Sequence, residues 1–198
     1  MKKYTKLKKE VLVILSDKLP KDLYYHGINH TLDALKACEV YLAEEKVKEE
    51  DAYLLRIGVL MHDIGFTVSI ENHEARGVEM AQELMYKHYF ESDGIEVVKQ
   101  LILATQVPQN PKNHLEEIIC DVDLDYLGRS DFYEISEKLF KELVAYNNIG
   151  SKREWNKTQI KFLENHKFHT DFAKKNREKL KSEKIKELKS LRIAANLK

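Results

Sequence analysis

The chain has 198 residues, and its 33 lysines and arginines balance 33 aspartates and glutamates, so the formal net charge is zero. With 43% hydrophobic residues, no long apolar run and only two cysteines, the composition argues against a disordered chain, a membrane-spanning protein and a disulfide framework. Only 7 glycines and 3 prolines interrupt the chain, which predicts long helices.

The first predicted element is an amphipathic helix with a basic start. Residues 1–9 contain five lysines and no acidic residue, and apolar side chains recur at helical spacing at Leu7, Val11 and Leu15. The apolar part is too short for a signal peptide, and no small-residue cleavage site follows it. We therefore expect a cytoplasmic location.

Histidines mark the start of the second predicted helix and the end of the third. His26 and His30 are four residues apart, so they share a face where a helical turn has formed. His62 and Asp63 end an apolar helix, and Gly65 follows closely. An imidazole and a carboxylate at the end of an apolar helix are costly to bury unless something binds them, and a divalent cation is one candidate.

Three aspartates, Asp121, Asp123 and Asp125, follow the apolar residues 118–120. On a continuous helix Asp121 and Asp125 share one face, whereas Asp123 points elsewhere. We therefore expect one of the three carboxylates to point inward, away from its two neighbours.

The last predicted element is a basic helix over residues 174–198. It holds ten lysines and arginines against three glutamates at helical spacing, and no aromatic residues lie between them. That pattern is typical of a solvated helix face, so we expect no nucleic-acid partner. In total, the periodicity predicts seven to nine helices in a single all-α domain over residues 1–198.

Four of the polar residues named above could form a metal site: His30, His62, Asp63 and one aspartate of residues 121–125. They would offer two imidazole nitrogens and two carboxylates, a mixed set that suits Mn, Fe, Co, Ni or Zn and tolerates Mg. Two octahedral positions would remain for water or substrate oxygens. The sequence therefore predicts a divalent metal site.

The order of these motifs resembles the signature of the HD-domain superfamily of metal-dependent phosphohydrolases, which has an all-α fold. The similarity is closer to one bacterial branch of predicted HD phosphohydrolases, through residues 25–31, 61–66 and 121–128. It spans about residues 23–170 and implies an HD-domain helical bundle with its catalytic core there.

The resemblance implies four metal ligands: His30, His62, Asp63 and Asp123. Asp121 is the alternative to Asp123 as the fourth ligand. His73 resembles a position that ligates a second metal in two-metal relatives. Those relatives supply further histidines around the following helix, and residues 103–106 contain none, so one divalent ion is favoured over two.

Three residues are implied to be catalytic: His26, Asp63 and Glu74. His26 matches the position that protonates the leaving oxygen in related cyclic-nucleotide phosphodiesterases, and a structural histidine bonded to the backbone is an equally weighted alternative. Asp63 and Glu74 are candidates to position the attacking water, and Glu74 could also deprotonate it.

Arg76, Thr105 and Gln106 are the candidates for substrate binding. Arg76 could clamp phosphate oxygens in a bidentate manner, although a salt-bridged helix start is slightly favoured for it. Thr105 and Gln106 could line a polar pocket, and for them ordinary polarity of a loop or helix surface is the favoured alternative.

We therefore predict a metal-dependent phosphohydrolase, either a phosphomonoesterase or a phosphodiesterase, that cleaves a nucleotide or another small phosphorylated molecule with metal-activated water. One alternative is a non-catalytic sensor domain that binds a metal and a nucleotide. A less favoured one is a di-iron oxygenase of the HD type. The small phosphorylated substrate is the expected partner, no membrane partner is expected, and self-association stays open.

Overall fold

The structure is a computed structural model that describes residues 2–196. Its α-helices are, in chain order, α1 (Lys2–Lys18), α2 (Ile28–Glu44), α3 (Glu49–Met61), α4 (His73–Lys87), α5 (Ser92–Ala104), α6 (His114–Asp123), α7 (Phe132–Ala145), α8 (Lys152–Asn165), α9 (Asp171–Asn176) and α10 (Glu178–Asn196). Two short 3₁₀ helices cover Ile64–Thr67 and Asp125–Gly128.

No β-strand occurs among residues 2–196, which confirms the all-α prediction. The helices in this range outnumber the predicted seven to nine, partly because the C-terminal segment is divided at Arg177 into α9 and α10. Met1 and residues 197–198, which the predicted domain and terminal helix include, lie outside the described residues. Among the described helices, none combines the length and apolar character needed to cross a membrane.

The chain divides into two compact units, Met1–Asp123 and Leu124–Lys198. In the first unit α3 is central and contacts α1, α2, α5 and α6. Its residues Ile57, Val59 and Met61 are at most 1% exposed, as expected of a helix that is apolar on nearly all sides. The end of α3 therefore lies inside this unit, and the polar residues that follow it are buried.

The second unit contains the 3₁₀ helix Asp125–Gly128 and the helices α7 to α10. Phe132, Trp155 and Leu163 are among its buried apolar side chains. The 3₁₀ helix ends against Arg177, because a Cβ atom added to Gly128 would lie 2.4 Å from the Arg177 Cβ. Only glycine fits this close approach. A single domain over residues 1–198 stays a prediction.

Candidate metal centre

Side chains from three separated stretches of the chain converge in the first unit. His30 lies in the first turn of α2, and Asp123 is the last residue of α6. His62 and Asp63 directly follow α3. His30 Nε2 lies 3.1 Å from His62 Nε2 and 3.1 Å from Asp123 Oδ1. We call these four residues the imidazole–carboxylate cluster.

Three members of the cluster are spaced as ligands of one ion would be. His30, His62 and Asp123 each offer one ligand atom, and these atoms lie within 4.8 Å of one another. At metal–ligand distances of about 2.0–2.2 Å, adjacent ligands of an octahedral ion are about 3 Å apart. The three separations are near that value: 3.1 Å between the imidazole nitrogens, 3.1 Å from His30 Nε2 to Asp123 Oδ1, and 3.4 Å from His62 Nε2 to Asp123 Oδ1.

The carboxylate of Asp63 is the fourth group of the cluster. Its Oδ2 lies 3.4 Å from His30 Nε2 and 3.2 Å from His62 Nε2, but it is buried and has no hydrogen-bond partner, because neither approach is aligned as a hydrogen bond. A buried carboxylate oxygen without a partner costs free energy, and such an atom in a native structure calls for an explanation. A cation beside these nitrogens would satisfy it, so the residues present fit a divalent metal ion.

Neighbouring groups determine which imidazole nitrogen faces the cluster. His62 Nδ1 donates a hydrogen bond to the carbonyl oxygen of Val59, 2.8 Å away and one helical turn earlier. With its proton on Nδ1, a neutral His62 ring presents the Nε2 lone pair to the cluster, as metal-bound histidines do. The ring of Tyr25 lies against that of His30, with centroids 4.7 Å apart.

Protonation balances the charges of the cluster when no cation is bound. Burial lowers the pKa of His62, but the charge of Asp63 and hydrogen bonding with Asp123 outweigh burial, so this pKa lies well above its ordinary value of 6.5. Burial raises the pKa of Asp123, but hydrogen bonds with His30 and His62 lower it to about 2. The pKa of Asp63 is also lowered, because the charge of His62 outweighs burial.

Two residues predicted to be catalytic, His26 and Glu74, lie beside the cluster. The ring of His26 is 6.1 Å from that of His30 between centroids. Glu74 is 8% exposed, and its Oε1 lies 3.4 Å from His73 Nε2. The same His73 nitrogen is 3.9 Å from Asp63 Oδ1, so the start of α4 borders the cluster.

Gly65 makes this placement of α4 possible. A Cβ atom added to Gly65 would lie 1.8 Å from the carbonyl oxygen of His73 and 2.7 Å from the amide nitrogen of Gly77. No side chain fits there, so the 3₁₀ helix Ile64–Thr67 packs directly on the backbone of α4. This backbone contact brings His73 close to Asp63.

The candidate substrate-binding residues show no such convergence in the described part of the chain. Arg76 pairs with Glu79 at 3.1 Å on the exposed face of α4. Thr105 is buried, and its hydroxyl donates a hydrogen bond to the carbonyl oxygen of Ile102 at 2.8 Å. Gln106 is exposed. A role for these three residues in substrate binding stays a prediction.

Asp121, Asp123 and Asp125 lie in different surroundings. α6 ends at Asp123, and Asp125 begins a 3₁₀ helix, so the continuous helix over residues 121–125 does not form. Asp121 is fully buried, but the atom that faces both imidazoles belongs to Asp123. The geometry therefore favours Asp123 over Asp121 as the fourth candidate ligand.

Sequence patterns did not predict the groups that support the cluster. The partner of His62, the carbonyl oxygen of Val59, is three residues earlier, a helical spacing that could have indicated it. Tyr25 packs against His30, and Phe66 packs against His73. No periodic pattern in the sequence predicts these two ring contacts.

Comparisons with known proteins agree with this geometry. A family model described as HD domain matches residues 27–127, about half of the chain. An uncharacterized protein of Clostridium beijerinckii (strain ATCC 51743 / NCIMB 8052) is 29% identical over 82 residues, which cover 40% of this chain. The match spans about half of that relative, 52% of its length. No solved structure matches the chain.

Proposed function

The chain belongs to the HD-domain family, and from that premise we propose that it is a metal-dependent phosphohydrolase. It would use water to cleave a phosphoester of a nucleotide or of another small phosphorylated molecule. The observation that carries the proposal is the buried Asp63 Oδ2, which faces two imidazole nitrogens and has no hydrogen-bond partner. We assign one divalent ion to the imidazole–carboxylate cluster.

A divalent cation supplies Lewis acidity, which polarises a phosphoryl oxygen and makes water acidic enough to attack near neutral pH. The two carboxylates of the cluster, Asp63 and Asp123, balance the charge of such a cation, so the site need not repel or over-attract an anionic substrate. The imidazoles of His30 and His62 contribute neutral nitrogen donors. This division of charge suits the binding of a phosphate group.

Groups at the edge of the cluster supply the proton transfers. Glu74, buried at the start of α4, accepts a proton from the attacking water. His26, next to the first turn of α2, donates a proton to the leaving oxygen. Asp63 also positions the water, since one of its oxygens faces His73 and the other faces the cluster.

The test combines metal content with an activity panel. The purified full chain is loaded in turn with Mn²⁺, Mg²⁺, Co²⁺, Ni²⁺ and Zn²⁺, bound metal is measured by elemental mass spectrometry, and phosphoester hydrolysis is assayed on nucleotides and nitrophenyl phosphates. We expect about one ion per chain and turnover with at least one metal. His30→Gln should lose both, whereas His114→Gln, whose side chain is 50% exposed on α6, should keep both.

Other outcomes would decide against the proposal. Equal metal content in His30→Gln and the wild type would overturn the ligand set. Tight nucleotide binding without turnover in any metal would favour the non-catalytic sensor. Two irons per chain together with oxygen consumption would favour the oxygenase.

A further inference from the structure

The Phe66 ring contacts the rings of two histidines that border the imidazole–carboxylate cluster. Its ring stacks on that of His73, with centroids 3.8 Å apart and planes inclined by 18°. It also stacks on the ring of His26, with centroids 4.6 Å apart and planes inclined by 30°. The centroids of His26 and His73 are 6.4 Å apart, so each imidazole lies closer to Phe66 than to the other.

The backbone and the surrounding core hold Phe66 in place. Its amide donates a hydrogen bond to the carbonyl oxygen of Asp63 at 3.1 Å, and Phe66 as a whole is only 5% exposed. The preceding residue, Gly65, lies directly against the backbone of His73. The Phe66 ring is therefore fixed relative to both Asp63 and the start of α4.

Both imidazoles belong to residues at or just before the start of a helix. His26 precedes Gly27, the residue at the N-terminal boundary of α2, so it lies outside that helix. His73 is the first residue of α4, and its Nδ1 reaches the carbonyl oxygen of Ile70 only at a long 3.4 Å. Stacking on a fixed aromatic ring restricts the rotation of such side chains.

We propose that Phe66 is a positioning residue that orients His26 toward the leaving oxygen and His73 toward Asp63 and Glu74. In this role it acts through the two imidazoles and needs no contact of its own with metal or substrate. The catalytic consequence rests on the proposed function, whereas the arrangement of the three rings does not. General acid catalysis requires the donor within hydrogen-bond reach of the leaving oxygen, so a misplaced His26 slows this step.

The bond changes identify which substrates depend on Phe66. The water oxygen forms a bond to phosphorus, the bond from phosphorus to the leaving oxygen breaks, Glu74 takes the water proton, and His26 supplies a proton to the leaving oxygen. A 4-nitrophenolate group leaves readily as an anion, whereas a phenolate group leaves better when it is protonated. The loss of positioning should therefore slow phenyl phosphate more than 4-nitrophenyl phosphate.

The first test compares Phe66→Leu with the wild type on these two esters. We expect kcat on phenyl phosphate to fall about tenfold more than kcat on 4-nitrophenyl phosphate, with KM changed less than about twofold. Phe66→Tyr, which keeps the ring, should restore the wild-type ratio. Phe90→Leu removes another stacked ring of the same unit, the partner of Tyr53, and should leave the ratio unchanged.

The second test needs no activity. ¹H–¹³C spectra of the full chain in Mg²⁺ report the imidazole signals, and those of His26 and His73 are assigned with the variants His26→Gln and His73→Gln. Loss of the ring current alone would shift both signals, so the readout is their number and width: we expect both signals to split or broaden in Phe66→Leu and to stay single and sharp in Phe66→Tyr. His88, which directly follows α4 and lies 2.8 Å from Glu10, should not respond.

Two results would overturn the inference: an equal fall of kcat on both esters, or single, sharp His26 and His73 signals in Phe66→Leu. If the wild type hydrolyses no phosphoester with any metal, the proposed function fails instead. The spectra would then still decide whether Phe66 positions the two imidazoles.

Discussion

The side chains of Asp63 and Asp123 in the first compact unit and of Asp125 in the second are largely removed from solvent, but different groups neutralise them. In the first unit Asp63 and Asp123 face imidazole rings, and Asp63 Oδ2 has no hydrogen-bond partner. In the second unit Asp125 faces two guanidinium groups. Its Oδ1 accepts a hydrogen bond from Arg177 at 2.7 Å, and its Oδ2 lies 3.5 Å from a nitrogen of Arg129.

The difference separates a site that can take up a cation from one that cannot. A guanidinium group keeps its charge at every accessible pH and occupies a carboxylate permanently. An imidazole, unlike a guanidinium group, can give up its proton to a competing cation and then offers a lone pair to that metal. Asp63 and Asp123 therefore form an open site, one that can accept a cation, whereas Asp125 is a closed site, occupied by its two arginines and structural.

The largest expected effect comes from Asp63→Asn, which removes the charge of a candidate metal ligand from the open site. Losing the several kcal/mol of transition-state stabilisation that a metal supplies corresponds to a fall of about 10³-fold in kcat/KM. Metal content and kcat/KM would both be measured. Asp93→Asn, an exposed aspartate in the first turn of α5, is the matched control and should behave as the wild type. Full activity of Asp63→Asn would contradict the assignment.

Gly65→Ala tests the same site without changing a charged group. The added Cβ must move the backbone of α4 away from the 3₁₀ helix, since it would otherwise lie 1.8 Å from the His73 carbonyl oxygen. We expect a loss of about 3 kcal/mol in the free energy of unfolding, measured by urea denaturation, together with reduced activity.

Gly94→Ala is the control for this substitution in the same unit. There the nearest atom to the added Cβ is the end of the flexible Leu54 side chain, 3.2 Å away. Its stability should change by less than about 1 kcal/mol. Equal effects of the two substitutions would show that the close approach at Gly65 does not matter.

Asp125→Asn breaks the closed site of the second unit. Removing one partner of a buried ion pair is costly, but Arg129 and Arg177 are about one-fifth exposed and can rehydrate, so we expect a loss of about 2 kcal/mol. Metal content should not change. Glu134→Gln, which removes an exposed pair with Lys138 in the same unit, should cost less than about 0.5 kcal/mol. A loss of bound metal in Asp125→Asn would contradict the distinction between the open and the closed site.

The smallest expected effect is a pH dependence of the open site. The raised pKa of His62 contributes stability to the metal-free protein that is complete below the unfolded value of about 6.5 and is lost as pH rises through the folded pKa. The lowered pKa of Asp123 contributes stability present above its unfolded value of about 3.9 and lost as pH falls toward about 2.

A metal must displace the proton of His62, so metal affinity should change in the opposite direction. We expect it to rise by up to about tenfold per pH unit below the folded pKa of His62, as measured by calorimetric titration with Zn²⁺ at pH 6, 7 and 8. Asp125→Asn should show the same dependence, because Asp125 is closed by arginines. A metal affinity independent of pH would argue against His62 as a ligand.

The sequence by itself determined the fold class and the residues that converge at the cluster. Few glycines and prolines interrupt the chain, and apolar residues recur at helical spacing. Helix formation follows from these properties of the sequence, as α3 illustrates. The order of His30, His62 and Asp123 was sufficient to select three side chains whose ligand atoms the fold brings within 4.8 Å. Their role as metal ligands stays a prediction.

Only the tertiary structure decided how those residues are arranged. It ended α6 at Asp123 and placed the Phe66 ring against His26 and His73. The tertiary structure also packs Gly65 against the backbone of α4, a contact that the spacing of residues along a single helix cannot predict. The physical reason is that these arrangements depend on the packing of segments distant in sequence, whereas periodicity and capping record only interactions within a few residues.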